Sequence, residues 1–65
     1  MNLSDANDAL QRATRPGEWV YWKGGDAYLA NPYLSARIGR ADDGLESLLA
    51  ELPRCEAWLD NPEAY

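Results

Sequence analysis

The sequence predicts a small α+β domain in the order helix, antiparallel sheet, helix. Apolar residues recur at helical spacing near both ends of the chain. Between them, an aromatic-rich run leads into a Gly-Gly pair, and a second run of alternating apolar residues follows. With 65 residues there is room for one hydrophobic core, so residues 1–65 are expected to form a single compact domain.

The N-terminal helix is predicted to begin at Ser4 or Asp5, because either side chain can cap it. Apolar residues then follow at positions i, i+3, i+4 and i+7 and form one narrow stripe: Ala6, Ala9, Leu10 and Ala13. Pro16 and Gly17 are predicted to end the helix. Since the stripe is mostly alanine, this helix is expected to lie close against a flat surface such as a sheet.

The middle of the chain predicts a small antiparallel sheet. The Trp, Val and Tyr residues of 18–23 indicate a strand, and Gly24-Gly25 offers the positive φ angles of a two-residue hairpin turn. A second strand is expected over 26–30. Apolar residues alternate with polar ones over 34–38, which indicates a third strand, although a short helix over 32–39 is the alternative. The strand is preferred because a lone hairpin is a poor platform for two helices.

Leucines at helical spacing predict a C-terminal helix, and they fall on one face: Leu45, Leu48, Leu49 and Leu52. Asp43 and Glu46 have the spacing of a capping box at its start. Pro53 is predicted either to end this helix or to open a further turn as its first residue, so one or two C-terminal helices are expected. Three residues are then expected to close the core: Ala57, Trp58 and Leu59.

The residue types exclude most enzymatic chemistry. The chain has no histidine and only one cysteine, Cys55, so it lacks the commonest general base, the usual zinc ligands and any internal disulfide. We therefore predict no enzymatic activity, no metal and no cofactor. Cys55 is interpreted as a packing residue. An unpaired thiol, an N-terminus without a signal-peptide pattern and the absence of a long apolar stretch together favour a cytoplasmic location.

Negative charge is concentrated in the last part of the chain. Residues 42–65 contain seven acids and one base, a net of −6, whereas residues 1–41 have four acids and five bases, a net of +1. An acidic surface of this kind either keeps the protein soluble or imitates the DNA backbone toward a basic partner. The candidate partner-binding residues are the helical acids Asp42, Asp43, Glu46, Glu51 and Glu56, with Asp26 and Trp22 as secondary contacts.

Aromatic residues are the second unusual feature, because all seven are Trp or Tyr. In the first strand Trp19 and Tyr21 point to one side, and Val20 and Trp22 point to the other. Helices on one side of the sheet would leave one of these pairs exposed. Such a pair serves either as packing or as an anchor in a protein interface, where Trp and Tyr dominate the binding energy.

The chain resembles the small acidic anti-CRISPR proteins of bacteriophages, and it is most similar to inhibitors of type I-C CRISPR-Cas systems. The resemblance spans the whole chain: its length, its lack of cysteine pairs and catalytic groups, the hairpin segment 19–26 and the acidic segment 42–46. It implies a DNA mimic that binds the Cascade effector complex and keeps target DNA out. No motif in it allows functional residues to be transferred.

The resemblance and the charge together predict a monomer that binds a protein with a basic, DNA-binding surface, a Cascade subunit being suspected. Direct binding of nucleic acid is not expected, because Lys23 is the only lysine and the net charge of −5 repels phosphate. Contact with a membrane is not expected either. The alternative is a small antitoxin or host-factor inhibitor that binds its protein partner through an aromatic sheet face.

Overall fold

The chain folds as a helix, a three-stranded antiparallel sheet and a second helix, so the predicted α+β class and element order are confirmed. The computed structural model describes residues 3–64. Its elements are α1 (Leu3–Ala13), β1 (Trp19–Lys23), β2 (Asp26–Ala30), β3 (Ser35–Arg40), a 3₁₀ turn (Ala41–Asp43), α2 (Leu45–Asp60) and a second 3₁₀ turn (Pro62–Ala64).

The sheet has the strand order β1-β2-β3, with both neighbouring pairs antiparallel. Gly24 and Gly25 join β1 to β2 with φ angles of 58° and 82°, as their sequence predicts. Most other residues are strained at such angles, which is why glycine occupies both positions. Residues 35–40 form a strand, so the helical alternative for 32–39 is wrong.

A β-bulge interrupts the pairing of β2 with β3. Arg37 lies opposite Tyr28 and Gly39 lies opposite Ala27, so Ile38 is an extra residue without a partner. The side chain of Ile38 is buried in the core. The bulge therefore adds an apolar group to the core while it shifts the alternation of the residues that follow.

Both helices cover the same face of the sheet, and the opposite face is left open. The core cluster draws on α1, all three strands and α2, and it consists of Leu10, Val20, Ala27, Leu29, Ile38, Leu48, Leu52, Cys55 and Leu59. In β1 only Val20 belongs to this cluster, and Trp22 packs against it from the same side. The molecule is thus a two-layer sandwich of helices on a sheet.

The start of α1 differs from its prediction. The helix begins one residue before Ser4, so Ser4 and Asp5 lie in its first turn and neither is the N-cap. Asp5 still lies where the helix dipole favours a negative charge. In the predicted apolar stripe, Ala6 and Leu10 are fully buried, whereas Ala13 at the end of the helix is exposed.

Helix α2 runs through Pro53 without a break, so both predictions for this residue were wrong. A proline inside a helix costs about 3 kcal/mol, because it removes a backbone hydrogen bond and clashes with the preceding turn. Leu52 and Leu59 are buried on either side of it, and a buried leucine contributes about 1.5–3 kcal/mol. Packing against the sheet therefore outweighs the local cost. Ala57 was expected in the core but is exposed.

The predicted capping box at the start of α2 is also wrong. Gly44, with a φ of 90°, precedes the helix and provides no side-chain cap. Asp43 instead caps the 3₁₀ turn, because its Oδ2 accepts a hydrogen bond of 2.9 Å from the backbone N–H of Arg40. Glu46 is exposed in the first turn of α2.

Gly39 is buried where β3 meets α2. A Cβ atom at this position would lie 3.0 Å from both Asp43 Oδ2 and Leu48 Cδ2. We expect Gly39→Ala to destabilise the protein by about 1–3 kcal/mol, because the helix would have to move away from the strand. Urea unfolding measures this loss. Ser35→Ala, at an exposed position of the same strand, is the control, and equal stability of the two variants would contradict the prediction.

Candidate functional site

Formal charge divides between the two layers of the molecule. The strands carry three bases and one acid, a net of +2: Lys23, Arg37, Arg40 and Asp26. The helices and connecting segments hold the other ten acids and three bases, a net of −7. The two helices alone hold six acids and two bases, a net of −4, so an acidic helical layer lies behind a mildly basic sheet. The division into chain halves does not reveal this difference between the layers.

Three of the predicted acids form what we call the acidic corner: Asp42, Asp43 and Glu46, at the junction of β3 and α2. All three side chains are exposed. Within residues 3–64, no ion pair joins any of them to a base. The hydrogen bond of Asp43 to the backbone of Arg40 fixes the 3₁₀ turn on which the corner stands. Within the described residues, the corner therefore presents three exposed carboxylates that no ion pair neutralises.

The other predicted acids each have an arginine partner. Glu51 forms an ion pair with Arg54 one turn along α2. Asp26 lies on the sheet, where its Oδ2 is 3.2 Å from Arg37 Nε. Glu56 turns away from the corner toward the segment between α1 and β1. The structure therefore does not gather all the predicted acids into one unneutralised patch.

Trp22, predicted as a secondary contact, lies on the covered side of the sheet. Its ring packs against the core, and its Nε1 donates a hydrogen bond of 2.9 Å to Asn7 Oδ1 in α1. Trp19 points the other way and is 43% exposed. Of the two pairs that the alternation of β1 predicts, the one on the open side is therefore Trp19 and Tyr21.

An arginine-centred group that the sequence did not predict is called the Arg15 cluster and consists of Arg15, Glu18, Glu56 and Asp60. Arg15 Nη2 lies 2.6 Å from Glu18 Oε2 and 2.9 Å from Asp60 Oδ1, and its Nε lies 3.3 Å from Glu56 Oε2. Only 5% of the Glu18 side chain and 19% of the Glu56 side chain are exposed. The cluster ties the segment before β1 to the end of α2.

The carboxyl groups of this cluster have unequal proton affinities. Burial raises the pKa of Glu56, and a hydrogen bond shared with Glu18 raises it further. Burial acts on the pKa of Glu18 in the same direction, but hydrogen bonds from Arg15 outweigh it and lower that pKa. Hydrogen bonding to Arg15 also lowers the pKa of Asp60. Of the three acids, Glu56 is thus the one whose ionised form is disfavoured. Its Oε2 is buried without a hydrogen-bond partner within the described chain.

Cys55 is fully buried in the core, in agreement with its interpretation as a packing residue. Its Sγ lies 3.5 Å from the backbone oxygen of Arg37, to which the thiol donates. Burial raises the pKa of the thiol, which disfavours the reactive thiolate.

The local geometry is thus an exposed acidic corner, an open sheet face and an arginine-centred cluster in which Glu18 and Glu56 are largely covered while Arg15 and Asp60 are exposed. In the part of the chain that the structure covers, neither helix is long and apolar enough to cross a membrane. Comparison of the chain with protein-family models, with curated proteins and with solved structures found no match.

Proposed function

We propose that the protein is a non-catalytic inhibitor whose acidic corner occupies a basic, DNA-binding surface of a protein partner. The observation that supports this proposal is the exposure of Asp42, Asp43 and Glu46, none of which forms an ion pair within residues 3–64. Asp42 and Asp43 lie in the 3₁₀ turn and Glu46 lies in the first turn of α2, so a stretch of five residues carries all three carboxylates. Phosphates recur every ~3.4 Å of axis along one DNA strand, so a groove lined with Lys and Arg can accept such carboxylates.

The resemblance to anti-CRISPR proteins suggests the identity of the partner. In this proposal the protein acts as a monomer in the cytoplasm of the host bacterium, where it binds the Cascade effector complex of a type I-C system and blocks target DNA. The acidic corner has the main role. Glu51, Glu56 and Asp26 already have arginine partners, and Trp22 is half-buried, so these four residues have at most a supporting role.

Charge reversal of the corner tests the proposal. Asp42→Lys combined with Glu46→Lys changes two exposed side chains and leaves Asp43, which holds the 3₁₀ turn, in place. We expect the parent protein to displace a labelled target duplex from purified type I-C Cascade. The double variant should require at least about tenfold more protein, because like charges across an interface cost several kcal/mol.

The matched control is Asp8→Lys combined with Glu63→Lys, which makes the same change in net charge at exposed positions outside the corner. Displacement by this control should stay within about twofold of the parent, since distant exposed charges are screened at physiological salt. Circular dichroism checks that both variants are folded. Equal loss in both double variants, or full displacement by the corner variant, would refute the proposal.

A further inference from the structure

The open sheet face is a second surface of the described chain, and the acidic corner does not explain its composition. Its residues alternate with the core residues of the three strands and lie in register across them. Besides the small residues Ala30 and Ser35, the face carries Trp19, Tyr21, Lys23, Asp26, Tyr28, Arg37 and Arg40. It therefore combines three aromatic side chains with three bases and one acid.

The β-bulge at Ile38 creates the basic character of this face. Side chains alternate along a regular strand, so Arg37 and Arg40, three positions apart, would point to opposite faces. The extra residue restores them to one face, with Arg37 opposite Tyr28 and Arg40 opposite Asp26. The side chains of Arg37 and Arg40 are both exposed. Only the folded register brings them together with Lys23, whose partner across β1 and β2 is also Asp26.

The aromatic residues occupy the same face. The rings of Tyr21 and Tyr28 stack across β1 and β2 with centroids 5.1 Å apart and planes 10° apart. Trp19 lies two residues before Tyr21 in β1, on the same side of the sheet, and is 43% exposed. Sheets bind single-stranded nucleic acid through aromatic rings that lie beside lysine and arginine side chains. The nucleobases stack on the rings, and the phosphates contact the positive charges.

We propose that the open sheet face binds single-stranded nucleic acid without sequence preference. Charge complementarity selects this occupant: the strands carry a net +2, whereas the two helices behind them carry a net −4. The molecule is about 20 Å thick in its two smaller dimensions, and the Debye length at physiological salt is about 8 Å. Repulsion between the helical acids and the phosphates is therefore largely screened at the sheet surface. The single-stranded nucleic acid is expected to bind on that face alone.

This inference goes beyond the proposed function and uses the opposite layer of the molecule. It also revises the expectation of no direct nucleic-acid binding, which rested on a single lysine and on the net charge. The excess of basic over acidic residues on this face favours a nucleic acid as its partner. It disfavours the protein partner that the sequence suggested for an aromatic sheet face. Because the acidic corner lies outside the face, Asp42→Lys with Glu46→Lys should bind a strand at least as well as the parent, so the two proposals fail separately.

The probe is a fluorescently labelled oligothymidine of about 12 nucleotides, within the length range that small sheet domains cover. Anisotropy should rise to saturation as protein is added, and the fluorescence of Trp19 should change on binding. Arg37 is paired with Asp26, so Lys23 and Arg40 are the bases expected to contact phosphates. The logarithm of the affinity should then fall with the logarithm of salt at a slope of about −1.4, since each phosphate contributes ~0.7 on a single strand. An anisotropy that stays flat up to millimolar protein overturns the proposal.

Two matched pairs of variants locate the binding surface. Arg40→Glu should weaken binding about fivefold or more, whereas Arg12→Glu makes the same charge change on α1 and should alter it less than twofold. Trp19→Ala should likewise weaken binding about fivefold or more. Tyr33→Ala is its control, because Tyr33 is 88% exposed in the β2–β3 connection and off the face.

Two further outcomes would overturn the assignment. The first is equal weakening by Arg12→Glu and Arg40→Glu, which would indicate a general charge effect. The second is the detection by sedimentation of a dimer that the substitution Trp19→Ala dissociates. This result would show that the face binds a second copy of the chain. Thermal unfolding of each variant confirms that the comparison is made between folded proteins.

Discussion

Replacement of Leu48 by alanine is expected to remove a large part of the stability of this protein. Leu48 is fully buried in α2, and its Cδ2 lies close to the backbone of β3 at Gly39. Leu→Ala in a packed core costs about 2–5 kcal/mol, through lost burial and the cavity left behind. A 65-residue domain has a free energy of unfolding of roughly 3–10 kcal/mol, so the variant should lie near the limit of folding.

Urea unfolding followed by tryptophan fluorescence measures this loss. Leu49→Ala is the matched control, because it removes the same atoms from a half-buried position of the same helix. The control should lose clearly less stability than Leu48→Ala. If both variants lose the same amount, the packing of α2 against β3 is not as described. Because Leu48 holds the start of α2, Leu48→Ala should also impair any binding that requires the acidic corner.

The parts of the fold that sequence predicted correctly are those governed by neighbours along the chain. Gly24-Gly25 specifies the hairpin because only a few backbone conformations close a two-residue turn, and glycine adopts them without strain. The leucines at helical spacing specify the buried face of α2 for the same local reason, and Leu48 and Leu52 are indeed buried. These patterns are complete within a few residues.

The incorrect predictions concern places where packing outweighs local preference. Pro53 is a helix breaker in isolation, yet α2 continues because the leucines on both sides of it reach the core. Asp43 has the spacing of an α2 cap, but the tight turn after β3 draws its carboxylate to Arg40. Neither outcome can be derived from spacing alone, since each depends on how the helix meets the strand.

The features that sequence missed join residues that are distant in the chain. Arg15 and Asp60 meet across 45 positions, and no local pattern connects them. The bulge involves a single residue, Ile38, but it brings Arg40 to the open face only through the register of β3 with β2. For the candidate site, sequence therefore predicted the exposed acids of the corner, while the pairing of the other acids and the basic sheet face required the fold.

Glu56→Gln is expected to stabilise the protein at neutral pH, by about 0.5–2 kcal/mol, the usual range for relief of an unfavourable surface or partly buried charge. The ionised carboxylate of Glu56 is mostly buried beside Glu18, and its Oε2 has no hydrogen-bond partner within residues 3–64. Glutamine has nearly the same shape and carries no charge, and its amide can donate to Glu18. Arg15 then keeps its ion pairs with Glu18 and Asp60.

The gain should depend on pH in a defined direction. Burial raises the pKa of Glu56 above its ordinary value of 4.5, so the folded state binds its proton more tightly than the unfolded state does. The native protein is therefore penalised as pH rises through the raised pKa, and the penalty is absent below about 4.5. The pKa values of Glu18 and Asp60 are lowered and act oppositely. Both groups are present in the two proteins, so the difference between the proteins reports Glu56 together with its interactions with these two acids.

Urea unfolding of both proteins between pH 4 and pH 7 measures this difference. Their free energies of unfolding should converge at the acidic end and separate as pH rises, with Glu56→Gln the more stable. Glu51→Gln is the matched control, because Glu51 pairs with Arg54 on the exposed side of α2 and such pairs contribute about 0–1 kcal/mol. It should show no gain at neutral pH. A Glu56→Gln variant less stable than the parent at pH 7 would mean that attraction to Arg15 exceeds the cost of burying the charge, and that Glu56 is held as a carboxylate to brace α2 against the segment before β1.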